Sequence, residues 1–307
     1  MKKFLRIMAI LCVLCMGIGL VTACEVVKST DEKYFSFTLN EGSNGYTDSA
    51  SDEIMPETVV IPAKYNGLPV TGVEAEGFSG SNCYNIRHIV FKCEGNVAIG
   101  DHAFTGLGNL LSVDFRSASN LRIGTFAFEG CTSLEELKLP EKLTTLFIEE
   151  FAFKSARFTS LSFSAEWGVT IGRYALANCE ELTSVSLTNL AGFDATAFSG
   201  CTALESIEAF EGKYSSKDGH LFDQTGETLI KYAPAGAATD YTVDCKRVEE
   251  RAFEGCVNLT SVTISESVEY VGAYAFNNCS VLTVNCQADH SAFSADWYSG
   301  YNGTLNV

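Results

Sequence analysis

Apolar residues recur at fixed offsets along most of the chain. From Ile123 the sequence reads Ile-Gly-x-x-Ala-Phe-x-Gly-Cys-x-x-Leu, and close copies begin at Ile171, Val248 and Val271. The central aromatic or leucine position returns throughout, at Phe78, Phe104, Phe128, Phe153, Leu176, Phe198, Phe253 and Phe276. Successive anchors lie 22 to 26 residues apart, except for a gap of 55 after Phe198. A period near 24 predicts a solenoid of about eight repeats.

Each repeat carries the same local signals. After the cysteine, a Leu-x-x-Val-x-Leu pattern such as 182–187 predicts a short strand with one buried face. A second apolar stretch, such as 143–148, leads into the next repeat. The Ala-Phe-x-Gly-Cys segment is too short for a full helix and predicts one turn of α or 3₁₀ helix, closed by a left-handed Gly or Asn. The expected fold is a mostly β leucine-rich repeat solenoid with short α or 3₁₀ turns, capped at both ends, because one repeat buries too little apolar surface to fold alone.

The regions outside the period predict a domain plan. Tyr65-Asn66-Gly67-Leu68 is a hairpin signal, and 220–222 with 228–232 flank a glycine turn that predicts a second hairpin inside the 55-residue gap. The plan comprises a signal segment (1–23), a tether (24–33), an N-terminal β cap (34–72), the solenoid (73–287) with an insertion at about 212–245, and a C-terminal cap (288–307).

The N-terminus indicates export. Lys2, Lys3 and Arg6 precede an apolar run of about fifteen residues, which is typical of a secretory signal and short for a membrane-spanning helix. The run ends in Val-Thr-Ala-Cys24, which resembles the lipobox of bacterial lipoproteins. That resemblance implies lipidation of Cys24 and a membrane-anchored protein at the cell surface. The alternative is an ordinary signal peptide cleaved nearby.

The charge balance restricts the partners. Thirty-eight acidic residues against 21 basic ones give a net charge of −17. A surface this acidic repels phosphate backbones, so nucleic-acid binding is not expected. The membrane is expected to be a partner only through the lipid anchor.

Motifs that carry catalysis are missing from the sequence. It contains no Gly-x-Ser-x-Gly, no phosphate-binding loop and no His-Glu-x-x-His, and its four histidines are scattered. Adjacent carboxylates such as Glu135-Glu136 are typical of a solvated surface. We therefore expect no enzyme activity, no cofactor and no metal site.

Five cysteines share one repeat position: Cys131, Cys179, Cys201, Cys256 and Cys279. Equivalent positions in stacked repeats point their Cβ atoms in parallel, which suits a disulfide poorly. Buried free thiols are expected here, with a disulfide ladder as the alternative. Four more cysteines lie off this position and could include one bridged pair: Cys83, Cys93, Cys245 and Cys286.

Strand alternation predicts the surface most suited to binding. If the apolar strand residues point inward, their neighbours form one continuous polar sheet face, and extended solenoid surfaces of this kind bind partners. The predicted face comprises Ser112, Asp114, Glu136, Lys138, Ser160, Ser162, Ser184, Ser186, Ser206, Glu208, Ser261 and Thr263. The hairpin insertion is a rival contact site. Trp297, Tyr298 and Tyr301 either stack on a sugar ring or pack over the last repeat.

The full pattern from Ile123 to Pro140 resembles the BspA-like leucine-rich repeat family. The lead-in at 60–71 and the interruption at 218–234 are also similar to that family, and the resemblance covers about residues 59 to 287. The family consists largely of surface proteins of mouth and gut bacteria. Where their function is known, they bind host matrix proteins such as fibronectin and fibrinogen, or other cells, and they share no catalytic residues.

The repeats, the lipobox and the missing catalytic motifs together favour a surface-anchored binding module. Its expected partners are host matrix proteins, cell-surface proteins or glycans. One alternative is a passive spacer lipoprotein of the envelope without a specific ligand. Another is a hydrolase acting on host or wall glycans.

Overall fold

The computed structural model describes residues 29–280 and 282–307, which form a β-solenoid of about 11 turns. The predicted signal segment 1–23 and the lipidation residue Cys24 lie outside the described residues. Within this part of the chain, no helix is long and apolar enough to cross a bilayer. Helical structure in it is confined to three 3₁₀ helices, Glu32–Tyr34, Ser81–Cys83 and His290–Ala292.

Each repeat contributes a strand to the front of the solenoid, where the Leu-x-x-Leu-x-Leu segments lie. Strands are numbered in chain order. The front strands are β3 (Thr58–Ile61), β6 (His88–Phe91), β8 (Ser112–Asp114), β10 (Glu136–Lys138), β12 (Ser160–Ile171), β13 (Ser184–Phe193), β14 (Ser206–Gly212), β18 (Asp240–Val243), β20 (Ser261–Ile264), β22 (Thr283–Cys286) and β23 (Thr304–Asn306).

The second apolar stretch of each repeat forms the rear strands. These are β2 (Tyr46–Ala50), β5 (Leu68–Val73), β7 (Gly95–Ile99), β9 (Ala118–Ile123), β11 (Thr145–Ile148), β17 (Thr228–Lys231), β19 (Arg247–Val248) and β21 (Tyr270–Val271). The remaining strands are β1 (Phe35–Leu39), β4 (Lys64–Tyr65), β15 (Tyr214–Lys217) and β16 (His220–Asp223). In the middle of the solenoid β12 and β13 run from the front into the rear sheet, with a bulge after Ser164.

The strands stack in parallel, so equivalent residues of successive repeats pair directly. Leu161 of β12 aligns with Val185 of β13, which aligns with Ile207 of β14, and all three side chains are buried. This register places the inward residues of every repeat in one core. The polar neighbours therefore face solvent, as the alternation predicts.

The Ala-Phe-x-Gly segments are tight turns rather than a turn of α or 3₁₀ helix. Phe126 and Gly130 both have positive φ, at 56° and 72°. Alternate N–H groups then point to the next repeat, as in the bonds from Phe128 N to Ala152 O (2.8 Å) and from Gly130 N to Lys154 O (2.9 Å). The left-handed Gly was expected from sequence, whereas the left-handed residue at 126 was not. In this conformation the backbone N–H groups form hydrogen bonds with the next repeat instead of the hydrogen bonds within a local helix.

Two aromatic columns run along these turns. The inner column is buried, and neighbouring rings such as Phe104 and Phe128 stack 5.0 Å apart. The outer column stacks the side chains at the left-handed position, with 4.8 Å between the rings of Phe126 and Phe151. A left-handed conformation costs a bulky residue about 1–3 kcal/mol, and stacking offsets part of this.

The 55-residue gap contains an additional repeat as well as the hairpin. Tyr232 lies in the inner column, and its ring stacks on that of Phe253 at 5.1 Å. Its backbone N–H donates to Ala252 O, as the N–H of Phe128 donates to Ala152 O. Antiparallel β16 and β17 form the hairpin next to it. The hydrophobic core is divided near this point into two clusters of buried side chains.

Both ends continue the stack. Front strand β3 lies inside the segment expected to be the N-terminal cap. β23, inside the segment expected to be the C-terminal cap, pairs with β22 of the last predicted repeat. The hairpin at Asn66-Gly67 joins β4 to β5. Trp297 is buried against Phe276 and Phe293, so it packs over the last repeat, while Tyr298 is half exposed.

Candidate binding face

All twelve residues of the predicted face lie on front strands, and each is exposed or half-buried. Their inward neighbours in the same strands, such as Val113, Phe163 and Val185, are buried. The rows are in register: Ser160 aligns with Ser184 and Ser206, and Ser162 aligns with Ser186 and Glu208.

The prediction of one continuous sheet is wrong, because the front strands belong to three separate sheets. The first contains β3, β6, β8 and β10, the second contains β12, β13 and β14, and the third contains β18, β20, β22 and β23. The first break lies between β10 and β12, and the second follows β14. The predicted face is therefore three patches separated by two interruptions.

The break after β14 is caused by the insertion. The chain reverses through Glu211 and Gly212, both with positive φ, and β15 returns beside β14. Ile207 N bonds to Gly219 O at 2.8 Å, and Ser216 Oγ donates to the Glu208 carboxylate at 2.9 Å. The insertion thus occupies the place where the next front strand would stack.

The central patch is rich in unpaired hydroxyl groups, and we call it the hydroxyl patch. It comprises Ser160, Ser162, Ser164, Ser184, Ser186, Thr188 and Ser206 on β12, β13 and β14. None of these hydroxyls has a hydrogen-bond partner among residues 29–280 and 282–307. Side chains of one row lie about 5 Å apart on neighbouring strands, so their donors and acceptors can contact one ligand together.

The first patch is instead occupied by ion pairs. Arg116 binds the Asp114 carboxylate through two nitrogens, with Nη2 to Oδ2 at 2.6 Å, and Lys138 lies 3.0 Å from Glu136. Burial acts to raise the pKa of Asp114, but the hydrogen bonds and charge of Arg116 keep it below its usual value. Ser112 is hydrogen-bonded to His88 Nδ1 at 2.8 Å. These side chains already satisfy one another, so this patch offers fewer free groups than the hydroxyl patch.

Sequence reasoning missed three exposed aromatic side chains near the central repeats. Trp167 is 74% exposed, Phe210 is 51% exposed and Phe147 is 43% exposed. Phe210 continues the row of Ser164 and Thr188 across the hydroxyl patch. The position of Phe210 in its strand predicts that the side chain points outward. Trp167 lies in the irregular stretch between Ser164 and Val169, whose position the sequence pattern does not indicate.

A buried polar cluster between the two cores was also missed. Glu254 accepts hydrogen bonds from Ser199 (2.5 Å), Asn277 (2.9 Å) and Arg251 (2.5 Å), and fully buried Lys231 donates to Arg251 O at 2.9 Å. Burial lowers the pKa of Lys231. Burial acts to raise the pKa of Glu254, but the charges and hydrogen bonds around it hold the value below normal. The cluster is shielded from solvent and joins repeats on both sides of the insertion.

The cysteines at the shared repeat position are buried free thiols with a structural role. Cys131 Sγ donates to Phe104 O at 3.3 Å, and Cys201 Sγ donates to Leu176 O at 3.1 Å, in each case in the preceding repeat. Burial raises the pKa of Cys131 to about 12. Cys83, Cys93, Cys245 and Cys286 are also free thiols in the structure. No group of His, Cys, Asp and Glu among the described residues has an arrangement suited to a metal ion.

Comparisons with known proteins agree with this architecture. The family model for the BspA type leucine-rich repeat region matches in six copies, over residues 97–226 and 238–304. None of the curated proteins searched matches the chain.

Three crystal structures show the same fold. A leucine-rich cell surface protein from Faecalibacterium prausnitzii is 20% identical, with a TM-score of 0.59 over 87% of this chain and 77% of the other. A leucine-rich repeat protein from Bacteroides ovatus is 22% identical, with a TM-score of 0.59 over 91% and 76%. One from Eubacterium ventriosum is 17% identical, with a TM-score of 0.54 over 84% and 71%. With the family model matched over more than half of its residues, the chain belongs to the BspA-type leucine-rich repeat family.

Proposed function

We propose that the protein is an exported, lipid-anchored binding module that holds a partner on its front face. The observation that carries the proposal is the hydroxyl patch, in which seven unpaired hydroxyl groups stand in register on three packed strands. A rigid scaffold that presents free donors and acceptors can bind without a large entropic penalty. The partner classes are host matrix proteins, cell-surface proteins and glycans.

The location at the cell surface is supported by the N-terminal sequence and by a structural neighbour. The charged start, the apolar run and the lipobox-like sequence before Cys24 support an anchor at that residue, ahead of the described residues. The Faecalibacterium prausnitzii protein is described as a cell surface protein. An anchor at this end leaves the solenoid in water with its front face accessible.

The test is binding of purified residues 25–307 to immobilised fibronectin, fibrinogen, mucin and whole cells at physiological salt. The key variant combines Ser162→Lys, Ser184→Lys and Ser186→Lys. A matched variant adds the same charge to the rear sheet through Ala98→Lys, Ser119→Lys and Thr170→Lys. We expect saturable binding that the front triple abolishes and the rear triple preserves, with circular dichroism unchanged in both.

Two other outcomes have defined meanings. Binding that survives the front triple places the site on the hairpin insertion or at the ends of the solenoid. Absence of binding to every member of the panel contradicts the adhesive function and favours the passive spacer.

A further inference from the structure

The break between β10 and β12 is an open slit in the front of the solenoid. Residues 136–138 and 160–164 belong to neighbouring repeats, yet no ladder joins them and their Cα atoms are mostly more than 8 Å apart. Parallel strands in a sheet lie about 4.8 Å apart. Both strands therefore present one unpaired edge to the slit.

The slit is closed at both ends by hydrogen bonds between the same two repeats. Arg157 N donates to Leu134 O at 2.9 Å, and Glu166 N donates to Leu143 O at 2.8 Å. Arg157 also pairs with Glu135 at 3.1 Å and with Glu181 at 2.8 Å. At about 3.3 Å per residue, the span between these closures accepts a strand of roughly four to six residues.

The two repeats that border the slit differ in length. Phe128 is followed nine positions later by Leu137, whereas Phe153 is followed eight positions later by Leu161, so the second repeat reaches its strand one residue early. Pro140 follows β10 and has no N–H to donate. At the edge of the slit Leu137 and Leu139 are only half-buried, unlike the equivalent Val113 and Phe115 of the preceding repeat.

An acidic cleft of about 380 Å³ lies beside the closure at the far end of the slit. Its lining includes the carboxylates of Glu141, Glu166 and Glu211 and the amine of Lys142. The three carboxylates form no ion pair within the described part of the chain. Trp167 follows Glu166, its backbone N–H donates to Thr144 O at 2.8 Å, and its ring is exposed to solvent. Carboxylates and an exposed indole face both attract cations.

We propose that the slit receives an extended, basic segment of a partner protein as an added strand. The segment pairs its backbone with the edges of β10 and β12, as in β-strand addition, and its apolar side chains cover Leu137 and Leu139. Its Lys or Arg side chains reach Glu141, Glu166, Glu211 and the Trp167 ring. The inference rests on the proposed binding function and specifies a protein, rather than a glycan, as the partner at this site.

The probe is the capped peptide Gly-Lys-Val-Lys-Val-Lys-Gly, titrated into the purified protein at low salt. Trp167 fluorescence reports binding, because the other tryptophan, Trp297, is buried. The main control is the same peptide N-methylated at alternate residues, which keeps the charge but removes backbone donors. The matched protein variants are Glu141→Gln with Glu166→Gln, against Glu94→Gln at an exposed site two repeats away.

We expect saturable binding of the parent peptide and at least about tenfold weaker binding of the N-methylated peptide, because pairing supplies the directional contacts. The double variant weakens binding about fivefold or more, and Glu94→Gln leaves it unchanged. Amide hydrogen exchange slows at residues 136–138 and 160–164 in the complex. The proposal is overturned if both peptides bind equally, if no peptide binds, or if hydrogen exchange slows at other residues instead. It is also overturned if the peptide induces dimers without slowing exchange at residues 136–138 and 160–164.

The outcomes separate this inference from the proposed function. If the panel of matrix proteins and cells binds but the peptide does not, the slit proposal fails and the adhesive function stands. If the peptide protects the slit but no panel member binds, the slit is a peptide site and the adhesive function fails.

Discussion

Ser199 donates a hydrogen bond of 2.5 Å to the carboxylate of Glu254, which lies 55 residues further along the chain. Ser199 belongs to the last repeat before the insertion, and Glu254 belongs to a repeat after it. The bond crosses the boundary between the two cores. Burial lowers the pKa of Lys231, and the charge of Glu254 acts against that lowering.

Replacement of Glu254 by Gln should therefore destabilise the whole chain. The change removes the carboxylate that balances fully buried Lys231 and leaves Arg251 paired, among the residues described, with Glu250 alone, and breaking a buried pair costs about 3–5 kcal/mol. Chemical denaturation measures the loss. Glu180→Gln, at an exposed carboxylate without an ion pair in the described residues, should change the free energy of unfolding by less than about 0.5 kcal/mol. Equal effects of the two changes would show that the cluster has no stabilising role.

Asp48 predicts an unusual dependence of stability on pH. Its carboxylate is fully buried, and no side chain in residues 29–280 or 282–307 forms a hydrogen bond with it. Burial raises the pKa of Asp48 to about 8, and the charge of Glu74 adds to the rise. A raised pKa means that the folded state holds the proton more tightly than the unfolded state. The protonated carboxyl group therefore contributes its full stabilisation below about pH 4. As the pH rises towards 8, the free energy of unfolding falls by up to roughly 5 kcal/mol.

Asp48→Asn tests this directly, because the amide cannot ionise. The variant should be more stable than the parent at pH 8 and similar to it at pH 4, as measured by thermal unfolding across that range. Asp52→Asn, at an exposed position, should follow the parent profile. A parent whose stability rises from pH 4 to 8, or a variant with the parent's profile, would contradict the assignment.

Periodicity predicted those features that every repeat shares. The spacing from Phe104 to Phe128 fixes the aromatic column, and the alternation around Ser162 and Ser186 fixes which side chains face outward. Neither depends on the exact length of a repeat. The features that were missed interrupt the repeat pattern: β10 and β12 do not pair, and Tyr232 joins the column after 34 residues rather than 24. Burial of Lys231 was also missed, because its environment comes from repeats on both sides of the insertion.

Ser155→Gly should stabilise the protein. Ser155 has φ of 64° at a position where the preceding repeat has Gly130, and its side chain has no hydrogen-bond partner in the described residues. Relief of the strained left-handed conformation raises the free energy of unfolding by about 1–2 kcal/mol. The greater freedom of glycine in the unfolded chain lowers it by up to about 1 kcal/mol. We expect a net gain near 1 kcal/mol in denaturant titrations. Ser162→Gly, in an extended strand, should lose roughly 0.5–1 kcal/mol. A loss at both sites would argue against strain at Ser155.

The native thiols should resist modification. Burial raises the pKa of Cys93 and Cys131 to about 12, so almost no thiolate is present at pH 8. With a thiol-reactive dye, residues 25–307 should react quickly only after unfolding, except for a slower partial reaction at half-buried Cys286. Rapid stoichiometric labelling of the native protein would contradict the buried arrangement of the shared repeat position.

Binding through the front face is tested most directly with a fluorescent probe at one residue of the hydroxyl patch. Because eight of the nine thiols in residues 25–307 are buried, Ser162→Cys in a Cys286→Ser background can be labelled selectively with an environment-sensitive fluorophore. Ala98→Cys on the rear sheet, in the same background, provides the matched control. On addition of whichever panel member binds residues 25–307, we expect a blue-shifted, saturable emission change at position 162 and none at position 98. A change at position 98 with none at position 162 would contradict binding through the front face.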